Sequence, residues 1–467
     1  MRTEKILEHY DSYAQSRDSF RQKNRYYYKT LLEQYRYFVP EGKKVLEIGC
    51  GTGDLLSDLK PSLGVGIDVS PKMIERAKQK YNQLEFFVGT VDDVNVTEKF
   101  DYVILAGLLG EIDDIQGFLE SLQRFCTNDT RIFIEYYSYL WQVILKAGEK
   151  LGRKMPQLEQ NWLTSGDIIN FLDLAGYQFI NTERSILLPF NIWGVSYIVN
   201  RFIAKLPIIN LFTLNHFIVA RPMRAVNKDF SVTILIPCRN EKGNIEQAIT
   251  RTPKFGTEQE FIFVEGWSKD GTYEEVERII KKFPEKNIKL FKQSGKGKGD
   301  AVRFGFNAAA NEVLMILDAD LTVSPEDLPK FYEAIRSNKG EFINGSRLVY
   351  PMEDEAMRFL NLVANKLFGI FFSWLLKQRF KDTLCGTKVM FKHHYTKLAA
   401  NRHYFGDFDP FGDFDLIFGA VKLNLKAIEL PIRYKNRLYG TTQIQRFRHG
   451  LLLIRMCWFA LWKIRFK

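Results

Sequence analysis

From Lys44 onward, short apolar runs alternate with helical patterns, and after Arg221 and Pro222 the whole alternation starts again. The first series reads VLEIG, GVGIDV, LEFFVG, YVILAG and RIFIEYY. The second reads SVTILIP, EFIFVEG, IKLFKQ and EVLMILDAD. Apolar runs this short, each followed by a helix, are the mark of parallel strands covered on both faces. The pattern therefore implies an α/β chain of two doubly wound sheets in two domains. Their expected bounds are 1–224 and 229–467, on either side of the basic-polar stretch MRAVNKDF. The length of 467 residues accommodates both. Residues 1–40 read as helical, with Tyr26, Tyr27, Tyr28, Tyr35 and Tyr37 crowded at the end.

Charge separates the two series. The net charge is +11. Residues 1–225 hold 27 basic and 27 acidic side chains, and residues 226–467 hold 39 and 28, so the excess belongs to the second half. A step of this kind implies units with different partners. The five cysteines form no CxxC or Cys/His cluster, which argues against a zinc site or a disulfide framework and fits a reducing cytosol. The N-terminus shows no signal-peptide pattern, and no uncharged apolar run reaches 18 residues. Stretches 186–219, 359–376 and 451–462 come nearest. They read either as buried core helices or as helices lying on a membrane surface.

The first chemical constellation is a strand running into a glycine turn, Val45-Leu46-Glu47-Ile48-Gly49-Cys50-Gly51-Thr52-Gly53. Such a turn lets backbone approach a ligand closely, and the following helix presents free N–H groups. Asp68 ends the next strand, where a carboxylate accepts hydrogen bonds from ribose hydroxyls. The spacing GxGxG, with Glu47 two residues before the first glycine, resembles class I S-adenosylmethionine-dependent methyltransferases. GVGIDVSPKMIERAK, FDYVILAGLLGEIDD and LTSGDIINFLDLAGY continue the likeness in family order. The resemblance implies a Rossmann-like fold with S-adenosylmethionine as cofactor. It places Glu47, Gly49, Gly51 and Gly53 at the amino-acid end, Asp68 on the ribose and Met73 near the adenine. An acid that family members often carry after the third strand is Thr90 here, with Asp92 and Asp93 following. The loop after the fourth strand has no histidine. Glu111 is its candidate base, or else a capping or solvated acid.

The second constellation is Leu314-Met315-Ile316-Leu317-Asp318-Ala319-Asp320, a buried run ending in two carboxylates. Asp-x-Asp at a strand end suits a hard divalent cation that neutralises a diphosphate leaving group. Upstream, Ser294-Gly295-Lys296-Gly297-Lys298-Gly299-Asp300 is a glycine–lysine loop suited to phosphate oxygens and lacks the Walker A spacing. Together with IPCRNE, GKGDAVRFGF, DADLTVSPEDLP, NGSR, KDTLCGTKVMF and IELPIRY, these motifs resemble family 2 glycosyltransferases of the dolichol-phosphate mannose synthase type. The resemblance implies a GT-A type α/β sheet. It places Pro237, Arg239, Glu241 and Glu265 around the nucleotide base and ribose, Lys298 and Arg303 near that site, and Arg347 toward the phosphates. Asp318 and Asp320 would bind Mg²⁺ or Mn²⁺ and the sugar diphosphate. The usual Asp-Asp of the second motif is Glu265-Gly266 here. Gln443, after Gly440-Thr441-Thr442, stands where lysine is common, with Arg433, Lys435 and Arg437 nearby as substitutes.

The expected chemistry is an inverting single displacement. A phosphate acceptor needs no general base, whereas a hydroxyl acceptor does. Asp320, Asp413 and Asp415 are the candidate catalytic acids, with Asp382 a further acid on the acceptor side. Residues 440–467 hold six basic side chains and no acid, interleaved with leucines and tryptophans. This tail reads as a helix on an anionic membrane surface or as a core helix with a basic face; no base-reading module favours nucleic acid. The resulting expectation is a bifunctional enzyme. It would join methyl transfer to transfer from a nucleotide-diphosphate sugar to a polyprenyl phosphate or an envelope glycan. It would be cytoplasmic or peripheral at the cytoplasmic membrane face. The alternative is a glycosyltransferase whose first half only binds S-adenosylmethionine or acts as a scaffold.

Overall fold

The computed structural model describes residues 2–158, 160–223, 228–349, 359–404, 412–437, 439 and 455–466. It divides into two compact units, Met1–Arg224 with Phe466–Lys467, and Ala225–Arg465.

The first unit is built on β1 (Lys44–Ile48), β2 (Leu63–Asp68), β3 (Glu85–Val88), β4 (Tyr102–Ala106), β5 (Arg131–Tyr137), β6 (Tyr177–Ser185) and β7 (Asn215–Pro222). Their order is β3-β2-β1-β4-β5-β7-β6. The first five strands are parallel, and β7 is antiparallel between β5 and β6. The period of two sorts each strand onto two faces. Leu46, Ile48, Val65, Ile67, Val103 and Leu105 pack on one side. Val45, Ile104, Phe133, Phe217 and Val219 pack on the other, under Tyr35 and Phe38. Those two aromatics come from the third of three N-terminal helices, α1 (Arg2–Tyr13), α2 (Arg17–Lys23) and α3 (Arg25–Phe38). The strand order reverses between β1 and β4, and a crevice opens at their carboxyl ends, where such sheets bind ligands.

The second unit repeats the principle with β8 (Val232–Cys238), β9 (Gln259–Glu265), β10 (Asn287–Lys292), β11 (Val313–Ile316), β12 (Phe342–Ser346), β13 (Lys388–Phe391) and β14 (Ala427–Pro431). Their order is β10-β9-β8-β11-β13-β12-β14. Strands β8 to β11 are parallel, and β13 is antiparallel to both β11 and β12. Here the order reverses between β8 and β11. Asp318 and Asp320 lie in the turn just beyond β11.

The three apolar stretches resolve differently. The helix Phe359–Leu376 is a core element: Phe372, Leu375 and Leu376 are buried with Phe414 and Ile417. In the described part of the tail, Met456, Cys457, Ala460 and Ile464 enter the same core, while Trp458 and Trp462 are exposed. Residues 440–454 (with Gly440–Gln443, Arg446 and Arg448) lie outside the described residues, as do Phe411 and Lys467. Stretch 186–219 is not one helix. It ends in the buried strand β7, while its middle carries exposed apolar side chains. Among the described residues, no helix is long and apolar enough to cross a membrane.

Candidate active sites

In the first unit, β1 ends in a turn with Gly49 at φ +73°, Gly51 at +53° and Gly53 at +75°. A Cβ at Gly51 would lie 2.6 Å from the Arg17 guanidinium carbon, so a side chain there would displace the Arg17 head from over the turn. Asp68, at the end of β2, closes the turn. Its Oδ2 accepts from Gly51 N at 2.7 Å and its Oδ1 from Ser70 N at 2.9 Å. Burial raises its pKa, and those N–H groups with Arg17 oppose the shift. Glu47 is buried, and its Oε2 has no hydrogen-bond partner. Burial pushes it up to about 8, against the pull of Arg17.

These groups face a cavity of about 1000 Å³ inside the first unit. Glu47, Gly49, Gly51, Asp68 and Thr90 all line it. Gly53 and Met73 do not appear in its wall. Met73 is fully buried, and its backbone N–H donates to Ser70 Oγ at the start of the helix Pro71–Lys80. The Thr90 hydroxyl donates to Asp93 Oδ2 at 2.7 Å.

The N-terminal helices form one wall. Asp11 Oδ1 accepts from Ser70 Oγ at 2.5 Å, Asp18 pairs with Arg76 and Lys80, each at 2.9 Å, and Arg21 pairs with Asp58 at 2.9 Å. These ties set Arg17 over the glycine turn and Tyr10 against Glu111, to which the Tyr10 hydroxyl donates. Burial raises the Glu111 carboxyl, against that hydrogen bond. Glu135, near the end of β5, also lines the cavity, accepts from Asn215 Nδ2 and is pushed up by burial to about 7. Arg17, Tyr10 and Glu135 are not singled out by sequence motifs. The signal for Glu135 is a lone acid inside the apolar run RIFIEYY.

In the second unit, the loops after β8 and β9 are stitched together. Asn240 N donates to Ser268 Oγ at 2.8 Å, Lys269 N to Asn240 Oδ1 at 2.9 Å, and Ser268 N to Glu265. Pro237 is half-buried at the end of β8, and Arg239 beyond it is exposed. Glu241 is buried and accepts from Asn244 at 2.7 Å and Arg437 at 3.1 Å. Burial carries its carboxyl up to about 7, with Arg437 opposing.

The Asp-x-Asp turn meets cations on both carboxylates. Lys298 Nζ lies 2.5 Å from Asp318 Oδ1. Burial pushes Asp318 up, but the Lys298 ammonium prevails and holds it below the ordinary carboxylate range. Arg437 Nη2 donates to Asp320 Oδ2 at 2.6 Å, and Thr322 donates to Oδ1 through N and Oγ1. Arg437 thus links Asp320 to Glu241.

The remaining predicted residues sit in ion pairs, and the Arg347 and Lys388 cations of two of these pairs also help hold Asp318 ionised. Arg347 makes a two-point bridge to Asp382, Nε to Oδ2 at 2.7 Å and Nη2 to Oδ1 at 2.8 Å. Asp413 is buried and accepts from Lys388 Nζ at 2.7 Å. Asp415 is buried against Arg402 at 2.9 Å, with Arg303 at 3.9 Å.

Comparison with known proteins follows the same division. Residues 40–176 match the model for a methyltransferase domain, and residues 233–402 match the model for glycosyl transferase family 2. The chain carries a methyltransferase domain followed by a family 2 glycosyltransferase domain. The second resembles a dolichol-phosphate mannosyltransferase of Pyrococcus furiosus, 37% identical over 137 residues, which are 29% of this chain and 38% of that protein. It also resembles the dolichol-phosphate mannosyltransferase of Saccharomyces cerevisiae, 32% identical over 111 residues, 23% of this chain and 41% of that one. The chain therefore spans about two fifths of the length of these mannosyltransferases. A malonyl-[acyl-carrier protein] O-methyltransferase of Acetivibrio thermocellus is 28% identical over 201 residues, 39% of this chain and 71% of that protein. Among solved structures, a magnesium protoporphyrin IX methyltransferase of Synechocystis covers 48% of this chain and 100% of its own, at 17% identity and a TM-score of 0.35.

Proposed function

We propose that the protein is a bifunctional transferase, with residues 1–224 moving a methyl group from S-adenosylmethionine and residues 229–467 moving a sugar from a nucleotide diphosphate. The observation that carries this reading is the same in both units: beside the point where the strand order reverses, a buried glutamate stands with a part-exposed aspartate, Glu47 with Asp68 and Glu241 with Asp320.

The donor set of the first unit fits the cofactor. The unpartnered Glu47 Oε2 suits an ammonium group. The Arg17 guanidinium over Gly51 suits a carboxylate. Each Asp68 oxygen accepts one backbone N–H and keeps a lone pair for a ribose hydroxyl. S-adenosylmethionine, when bound, supplies an electrophilic methyl group. The chain contributes position and exclusion of water. Among the acids lining the cavity, Glu135 and Glu111 are the candidates to take a proton from the acceptor.

In the second unit, Asp318 and Asp320 offer the hard oxygens that Mg²⁺ or Mn²⁺ takes, and Lys298 and Arg437 add positive charge beside the diphosphate. A metal held there, when bound, neutralises leaving-group charge. Pro237, Arg239, Glu241 and Glu265 surround the nucleoside, and Arg347 and Arg303 complete the basic side. A phosphate acceptor attacks without a base. For a hydroxyl acceptor, Asp413 or Asp415 takes the proton after release from Lys388 or Arg402. A lipid-phosphate acceptor agrees with the basic second half and with the exposed Trp458 and Trp462.

Calorimetry with S-adenosylmethionine, and nucleotide-sugar turnover with and without chelator, test the two halves separately. No binding heat, unchanged in Asp68→Ala, rejects methyl transfer and leaves a glycosyltransferase with a non-catalytic first half. Turnover indifferent to chelator rejects the metal assignment.

A further inference from the structure

Strands β6 and β7 are antiparallel neighbours, and such a pair needs only a short turn. Instead, residues 186–214 intervene, and they contain the helix Val195–Arg201 and two short 3₁₀ turns. The insertion exposes a dense set of large apolar side chains. Trp193 is 100% exposed and Ile208 is 74% exposed, with Phe190, Ile192, Ile198 and Phe212 also open to solvent. A second apolar element adjoins it. The helix Gln142–Lys150 exposes 78% of Val143, and Trp141 Nε1 donates to Phe212 O at 2.8 Å, joining the two segments.

Both segments also reach inward. Ile144, Leu145 and Gly148 from the helix and Pro189 and Phe190 from the insertion line the cavity that holds Glu47 and Asp68. The apolar surface is therefore continuous with the mouth of the methyl-transfer cavity. Large apolar side chains exposed in this number on two joined segments mark an interaction site. Its charge identifies the partner. Residues 186–220 contain Arg201 and Lys205 and no acid, and Lys205 is buried against Glu183. Residues 139–154 contain four basic side chains and one acid, Glu149, which is bound to Lys154. Exposed apolar and aromatic tips, with Lys146, Lys150 and Arg153 exposed on and just beyond the adjoining helix, suit the interface of an anionic bilayer, where rings settle at headgroup level and cations meet anionic lipid.

We propose that this face of the first unit docks on an anionic membrane surface, and that the methyl acceptor is a lipid-borne molecule entering the cavity from that side. The acceptor clause rests on the methyltransferase reading; the docking surface does not.

The test is flotation of the full chain with vesicles of phosphatidylglycerol and phosphatidylethanolamine, compared with vesicles of phosphatidylcholine. Wild type floats with the anionic vesicles and at least fivefold less with phosphatidylcholine. A double variant, Val143→Ser with Trp193→Ser, loses at least fivefold of that binding. Neither residue is in the cavity wall, so the variant keeps wild-type S-adenosylmethionine affinity by calorimetry, which also shows that it is folded. Flotation of the double variant equal to wild type overturns the proposal, as does wild type that does not float. So does a wild-type dimer that the double variant returns to monomer, because a second copy would then cover the face. Absence of S-adenosylmethionine binding in wild type rejects the methyltransferase reading and the acceptor clause, while the vesicle result still decides the docking surface.

Discussion

Arg437 Nη2 lies 2.6 Å from Asp320 Oδ2, and the same guanidinium reaches Glu241 at 3.1 Å. One side chain thus connects the proposed metal acid to the proposed nucleoside acid, across 117 residues to the first and 196 to the second. Removing its charge leaves two carboxylates facing one another and takes a cation from the diphosphate site. Arg437→Gln is expected to raise KM for the nucleotide sugar roughly 10- to 100-fold, the range for a hydrogen bond to a charged group. Asp320→Ala is expected to abolish turnover, and chelator should do the same to wild type. Steady-state kinetics with titrated Mg²⁺ or Mn²⁺ checks all three, and an unchanged KM in Arg437→Gln rejects its role.

Glu47 provides a prediction in which stability and binding move in opposite directions. Its carboxyl is raised from 4.5 to about 8 by burial. Between those pH values the folded protein keeps a proton that the unfolded chain has released. Stability contributed by the neutral acid is therefore present at low pH and lost as pH rises toward 8. Glu47→Gln removes this loss. The ligand-free protein should gain on the order of 2–4 kcal/mol at pH 8 and little at pH 5. The same change removes the proposed ammonium acceptor, so S-adenosylmethionine should bind at least about tenfold more weakly. Denaturant melts at two pH values, with calorimetry, decide it. A variant with unchanged affinity would show that Glu47 does not touch the cofactor.

The parts legible in the sequence are those whose chemistry is local. The glycine turn and Asp68 are separated by one helix, and Asp318 and Asp320 by one residue, so strand periodicity and spacing are enough to place them at carboxyl ends. What spacing does not carry is contact across the fold. Arg17 reaches Gly51 because Asp11, Asp18 and Arg21 pin the first helices over the turn, and no periodicity encodes those ties. Met73 carries the family motif's spacing, yet it begins a helix whose buried side receives it. The apolar stretch 186–219 shows the same limit, since composition alone does not divide it into a buried strand and an exposed insertion.

Glu135 is the cavity acid whose pKa suits proton transfer near neutrality, raised by burial from 4.5 to about 7. For a hydroxyl acceptor, only the ionised carboxylate accepts the proton. The methyl-transfer rate should then rise with pH through about 7 and level above it. Glu135→Gln should lower kcat by 10²- to 10⁴-fold and erase that limb, with S-adenosylmethionine affinity unchanged. A pH–rate profile that keeps its limb in the variant removes Glu135 as the base.

The Arg347–Asp382 bridge yields the last prediction. Both oxygens of Asp382 are taken by one guanidinium, and the pair is buried. Burial pushes the Asp382 carboxyl up, yet the adjacent guanidinium holds it below the ordinary range, so the pair remains charged. Deleting one member of a buried pair leaves an uncompensated charge, so Asp382→Ala should cost about 3–5 kcal/mol of stability. Arg347→Lys keeps the charge but loses the two-point geometry, because an ammonium does not span both oxygens. If Arg347 serves the phosphates from this fixed position, Arg347→Lys should lose turnover far more than stability. Paired denaturation and kinetic measurements separate the cases. A variant that loses stability and keeps kcat/KM assigns Arg347 to the fold and removes it from the phosphate site.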